Sequence, residues 1–127
     1  MAKVLGIGGI FFKSPDPARL LAWYKQWLGI DGSPEGGANF LPKNMPPNSL
    51  TVWSAFPANT GYFAPSGKDY MFNLIVDDLD EALRQAQAGG AQLAGEPQTY
   101  DYGKFGWFID PDGNKVVNGA VSPLSTF

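Results

Sequence analysis

Three stretches of this 127-residue sequence carry residues of a type and spacing that can do chemistry. Asp110, Asp112 and Asn114 alternate as oxygen donors do at the start of a calcium loop. Asp77, Asp78, Asp80 and Glu81 gather carboxylates that suggest a divalent ion. Gly6-Ile7-Gly8-Gly9 has the glycine density of a phosphate loop. Each has a plainer reading. In the first, Gly113 comes too early for a calcium loop, and the twelfth position is Val121 instead of Glu, so these residues read as turn formers. In the second, Asp78 stands where a helix N-cap belongs, with acids in the first turn where they complement the dipole. In the third, the glycines precede an apolar strand instead of following one, and no Gly-Lys-Ser/Thr is present.

Composition narrows the chemistry further. The sequence has no His and no Cys, which removes the commonest metal ligand, the usual general base and all thiolate or disulfide chemistry. No Ser or Thr has a His partner for nucleophilic catalysis. Proton abstraction without a metal would need an Asp or Tyr in the pocket, with Asn73 or Tyr102 holding the oxyanion; no carboxylate falls on the concave positions, and Asp69 and Asp101 are only nearby, in or beside loops. Net charge is −3 and pI about 4.7, with no basic patch for a nucleic acid and a mild bias toward cationic or neutral ligands. The apolar run Val4 to Phe12 is too short to span a bilayer and lacks a small-residue cleavage site, so the expectation is a cytoplasmic protein with no membrane partner.

The elements that must position these residues follow from pattern. Hydrophobic content of 44% and charged content of 17% fit a single globular domain. Val4 to Phe12 reads as a first strand. Asp16-Pro17 opens a helix whose apolar positions are Leu20, Leu21, Trp23, Tyr24, Trp27 and Leu28, and Gly29 closes it. Trp23 and Trp27 lie i, i+4 on that apolar stripe and read as core. Short strands are expected around Asn39-Phe40-Leu41 and over Leu50 to Phe56, where Pro57 ends the run. Ala58 to Asp69 is a turn-rich connector. Tyr70 to Val76 is a further strand, Asp78 caps a second helix, and Gly89-Gly90 stops it. Residues 102–118 form an aromatic hairpin about the turn Asp-Pro-Asp-Gly-Asn. The plan of strand, Asp cap, amphipathic helix and glycine stop therefore occurs twice, about half the chain apart. It gives an α+β fold of two tandem βαβββ modules, about residues 1–60 and 68–127, forming a curved mixed sheet around a cavity.

The two halves, the stretch Tyr-Gly-Lys-Phe-Gly-Trp-Phe-Ile-Asp-Pro-Asp-Gly-Asn-Lys-Val, the Val-Asp-Asp-Leu-Asp helix start and Phe-Phe-Lys-Ser-Pro-Asp-Pro together resemble the vicinal oxygen chelate superfamily. That superfamily includes glyoxalase I, extradiol dioxygenases and the bleomycin and fosfomycin resistance proteins. The resemblance implies two concave sheets facing each other around a ligand, and a homodimer. Metal-using members carry His, Glu or Gln on those faces. Their positions correspond here to Gly9, Met71 and Val117, with Val52 or Trp53 nearest the remaining one. None of these ligates a divalent ion, so neither a metal nor any other cofactor is expected.

Strand phase places Gly9, Phe11 and Lys13 on one concave face and Met71, Asn73 and Ile75 on the other, with Ile10, Phe12, Phe72, Leu74 and Val76 beneath the helices. Trp53, Tyr102, Trp107 and Val117 complete the wall, and Phe40 and Tyr62 stand near its rim. These residues predict an aromatic, metal-independent pocket for a small apolar or aromatic ligand, acting by sequestration and with no assigned catalytic residue. Asn118 shares a face with Val116, so either the strand ends early or its amide finds a local partner. Three alternatives stay open: a glyoxalase-like enzyme that is metal-free or uses unrecognised oxygen ligands, a cavity filled by its own aromatics, and a partner-binding module with an exposed sheet face.

Overall fold

The structure is a computed structural model that describes residues 1–121. Helix α1 spans Pro17–Leu28; strand β1 is Phe72–Ile75, helix α2 Leu79–Ala88, β2 Gln92–Leu93, β3 Gln98–Tyr100, β4 Gly103–Ile109 and β5 Lys115–Val121. The five strands make one open mixed sheet in the order β1-β5-β4-β2, with β3 also on β4. β1 runs parallel to β5, and the remaining pairs are antiparallel. The α+β class and mixed sheet agree with the pattern in the sequence.

Both helices begin and end where their sequences dictate. Asp16 accepts from the Arg19 amide at 3.2 Å and Asp78 from the Glu81 amide at 3.1 Å, each satisfying a first-turn donor that has no partner within the helix. Gly29 ends α1 at φ +72°. The acidic run resolves into structural duties: Asp78 caps α2, Asp80 pairs with Lys104 at 2.8 Å, and Glu81 pairs with Arg84.

The helices cover one face of the sheet. Their buried contacts join Leu20, Tyr24, Leu79, Leu83 and Ala86 to Phe108 and Val116, with Trp23 packed against the cluster. Phe72, Leu74 and Val76 pack against it too, as strand phase required. At Gly106 a Cβ would stand 2.6 Å from the Leu83 side chain, so α2 lies closer to the sheet there than any other residue allows.

The turn between β4 and β5 is the fastening point of the molecule. Gly113 takes φ +83°, and the buried Asp110 carboxylate accepts four hydrogen bonds. Its Oδ1 receives the amides of Asp112 and Asn114, both at 2.9 Å. Its Oδ2 receives the Tyr24 hydroxyl at 2.8 Å and the Asn114 side-chain amide at 2.9 Å. Tyr70 donates to Asn114 Oδ1 at 3.0 Å, Ser14 to Asp112 at 2.6 Å and Ser66 to the Gly113 carbonyl at 2.7 Å. The alternating oxygens read from the sequence thus serve the turn and tie α1, the connector and residue 14 to it.

Burial, and next the Asp110 charge, hold the Tyr24 phenol above the usual range for tyrosine, near 10. The raised value means that the stability contributed by the protonated phenol is intact below pH 10 and is lost as pH rises past it. In an alkaline titration followed by tyrosinate absorbance, one component should appear only as the fold opens. Tyr24→Phe should abolish that component.

The first half departs from expectation. Residues 4–12, 39–41 and 50–56 form no strand, and Val4, Ile10, Phe11, Val52 and Trp53 are exposed. A strand needs a ladder partner, and here the segment that would supply the hairpin contains Pro42, Pro46, Pro47 and Pro57, none with an N–H to donate. A short 3-10 turn over Pro42–Asn44 replaces it. Ile10 therefore does not reach the helix layer, whereas Phe12 does rest on Phe72, with ring centroids 4.7 Å apart. Asn118 settles differently from either expectation. β5 continues through it, the residue is fully buried on the helix face, and neither amide atom has a hydrogen-bond partner among the described residues.

Candidate functional site

The sheet face turned away from the helices is formed by alternate residues of three strands. Asn73 lies beside Val117 in parallel register, and Val117 lies opposite Trp107; one step along, Ile75 lies beside Gly119 and Gly119 opposite Phe105. Val117 is buried, Trp107 and Phe105 are half-buried, and Asn73 and Ile75 are exposed. The Phe105 ring fills the space over Gly119, where a Cβ would meet it at 2.9 Å and Asn73 Oδ1 at 3.7 Å. A polar amide thus stands among aromatic and aliphatic groups on this face.

Aromatic groups flank this face at both ends. At one, the Trp107 indole donates to the Tyr62 hydroxyl at 3.0 Å, and the two rings meet edge to face at 6.4 Å. Tyr62 in turn stacks on Phe56 at 5.6 Å. At the other, Tyr102 stacks on Tyr100 at 5.3 Å with the rings almost parallel, and both stand within 6.0 Å of Phe105. Such stacked and edge-to-face pairs add to area burial.

Of the residues expected to bind ligand, Asn73, Ile75, Trp107 and Val117 share this face, Met71 leads into β1 half-buried, and Tyr62 and Tyr102 belong to its flanks. Phe11, Lys13, Phe40 and Trp53 are exposed and lie outside the sheet, because the first-half strands that should carry them are not formed. Phe105, Phe56 and Lys115 also border this face and were not singled out from the sequence. Phe105 has the parity of Trp107 on one strand and was legible by that rule. Lys115 was not, since the connector that covers it comes from 53 residues away in sequence.

The metal positions can now be tested against the side chains present. Gly9 has no side chain, Met71 offers only a weak thioether, and Val117 is an aliphatic group 4% exposed. Among the described residues, no three His, Cys, Asp or Glu side chains come together. The donor set does not fit a catalytic divalent ion. Two grooves lie beside the helices: one of about 570 Å³ between the Lys43–Pro46 turn, Ile75 and the start of α2, the other of about 410 Å³ between α1 and the end of β4. Among the described residues, no helix is long and apolar enough to cross a membrane.

Comparison with known proteins agrees with this architecture. The family model described as a glyoxalase-like domain matches residues 9–117. Among solved structures the chain is similar to TnmS3, an antibiotic binding protein from Streptomyces sp. CB03234, at 24% identity and TM-score 0.51, over 86% of this chain and 89% of that one. It is similar to an integron cassette protein from the mobile metagenome of V. Cholerae at 19% identity and TM-score 0.51, over 86% and 89%. A member of the glyoxalase/bleomycin resistance protein/dioxygenase superfamily from Sphaerobacter thermophilus DSM 20745 aligns at 26% identity and TM-score 0.49, over 83% and 88%. No curated protein matches the chain. The likenesses to TnmS3 and the integron cassette protein concern the fold alone, and nothing rests on the third.

Proposed function

The chain belongs to the glyoxalase-like domain family, and on that premise we propose that it is a metal-independent small-molecule binding protein that holds a flat, partly apolar ligand by sequestration. The observation that carries this reading is the face made by Asn73, Phe105, Trp107 and Val117. It keeps aromatic planes and one free-standing amide, while the positions where relatives would place metal ligands hold Gly9, Met71 and Val117. Ring stacking on Trp107 and Phe105 supplies affinity, and the Asn73 amide orients a polar substituent. No Asp or Glu is among the strand residues of this face, which favours binding over proton abstraction.

The reading extends to a cytoplasmic homodimer. Val4, Leu5 and Val52 are exposed apolar residues, and a second copy would cover them. Phe11, Lys13, Phe40 and Trp53 remain ligand contacts in this proposal, closing over the face from the first half. That an antibiotic binding protein shares the fold is consistent with the reading and does not identify a ligand.

The test is fluorescence titration of the protein with a panel of aromatic and glycopeptide compounds. Saturable quenching is expected for at least one. Trp107→Ala should weaken it by about tenfold to a hundredfold, the loss of one stacked ring and its packing. Absence of binding across the panel at every soluble concentration removes the proposal.

A further inference from the structure

Lys115 opens β5 on the same face as Val117, yet it is only 8% exposed. Its Nζ donates to the Tyr62 carbonyl at 2.6 Å and sits 5.0 Å from the centre of the Tyr62 ring. The ion pairs among the described residues join Lys25 to Asp31, Arg84 to Glu81 and Lys104 to Asp80, so Lys115 has no acidic partner there. The carboxylates nearest in sequence are engaged elsewhere: Asp110 accepts three bonds within the turn and one from Tyr24, and Asp112 accepts from Ser14. One carbonyl and one ring face leave an ammonium with N–H donors to spare, and burial draws its pKa below the usual lysine range. A buried charge without a counter-charge is costly, and a site that retains one gains when the counter-charge arrives with the ligand. The same Tyr62 accepts from the Trp107 indole, so the ammonium and the indole are joined through one residue on one face.

We propose that Lys115 selects anionic aromatic ligands: a flat ring lies against Trp107 and Phe105 while its carboxylate or phenolate oxygen meets the Lys115 ammonium. This rests on the small-molecule reading above and names the ligand class for that face. The net charge of −3 opposes long-range capture of anions, so the selectivity is a short-range effect, read by comparing ligands of equal shape.

The experiment titrates the protein with 2-naphthoate and its neutral isostere 2-naphthamide at pH 7. The wild type should bind naphthoate about tenfold more tightly, as one charge-assisted hydrogen bond provides. Lys115→Met should erase that preference, bringing the ratio of the two affinities to about one; Lys115→Gln serves the same purpose should the methionine variant not fold. If the wild type binds naphthamide as well as or better than naphthoate, the anion selectivity is overturned while small-molecule binding stands. If neither compound binds, both readings lose their support.

Discussion

Asp110→Ala is expected to lower the unfolding free energy by at least about 3 kcal/mol, with the loss visible as a shift in the urea midpoint at nearly constant slope. The size follows from what the carboxylate receives. Two backbone amides, the Tyr24 hydroxyl and the Asn114 side-chain amide all donate to it, in a turn where Asp110 and Asn114 are buried. Alanine would leave the buried donors of Tyr24 and Asn114 without a partner, which costs more than the bonds themselves are worth. The effect would also spread, because Tyr24 is the contact by which α1 grips the turn. Asp110→Asn should cost less, since it keeps the size and one acceptor oxygen but presents an amide N–H₂ to one pair of donors. A loss below about 1 kcal/mol for the alanine variant would show that the turn is not the fastening point described.

Asn118→Val should do the opposite and stabilise the protein by about 1–2 kcal/mol. The residue is fully buried between Leu74 and Gly106, and neither its Nδ2 nor its Oδ1 has a partner among the described residues. It therefore contributes the desolvation cost of an amide with nothing returned. Valine is β-branched, suits a central strand, and matches the packing of Val116 one ladder step away. The same urea titration reads the result. A destabilised valine variant would mean that the amide has a partner in solution, such as a buried water, and that the partner is worth more than the apolar substitution.

These residues show what the sequence made legible. Asn118 could be flagged from strand phase alone, because Val116 and Asn118 must share a face. Whether anything satisfied the amide depended on α2 and β1, which are distant in sequence. The caps Asp16 and Asp78 and the stop at Gly29 were readable because a helix end is a local event, decided by a few neighbouring residues. The second-half sheet was equally readable, since Asp-Pro-Asp-Gly-Asn fixes the hairpin and its register sets the phase of every strand residue. In the first half the composition of strands is present in Val4 to Phe12 and Leu50 to Phe56, but pairing is not a local property, and the prolines between these segments interrupt the hairpin that would have joined them. Four of the expected ligand contacts fell there, at Phe11, Lys13, Phe40 and Trp53. Lys115 escaped notice for a related reason: a lysine after a turn reads as solvent-exposed, and its burial is made by Tyr62 folding back across it.

The most direct test of the central claim combines metal analysis with binding. Protein purified without chelator is assayed for Ni, Zn, Mn and Fe, then titrated with its best aromatic ligand before and after exhaustive dialysis against EDTA. The account predicts far less than one equivalent of any of these metals and the same dissociation constant in both titrations. One equivalent of a divalent ion, with ligand binding lost on its removal and restored on its return, would contradict it.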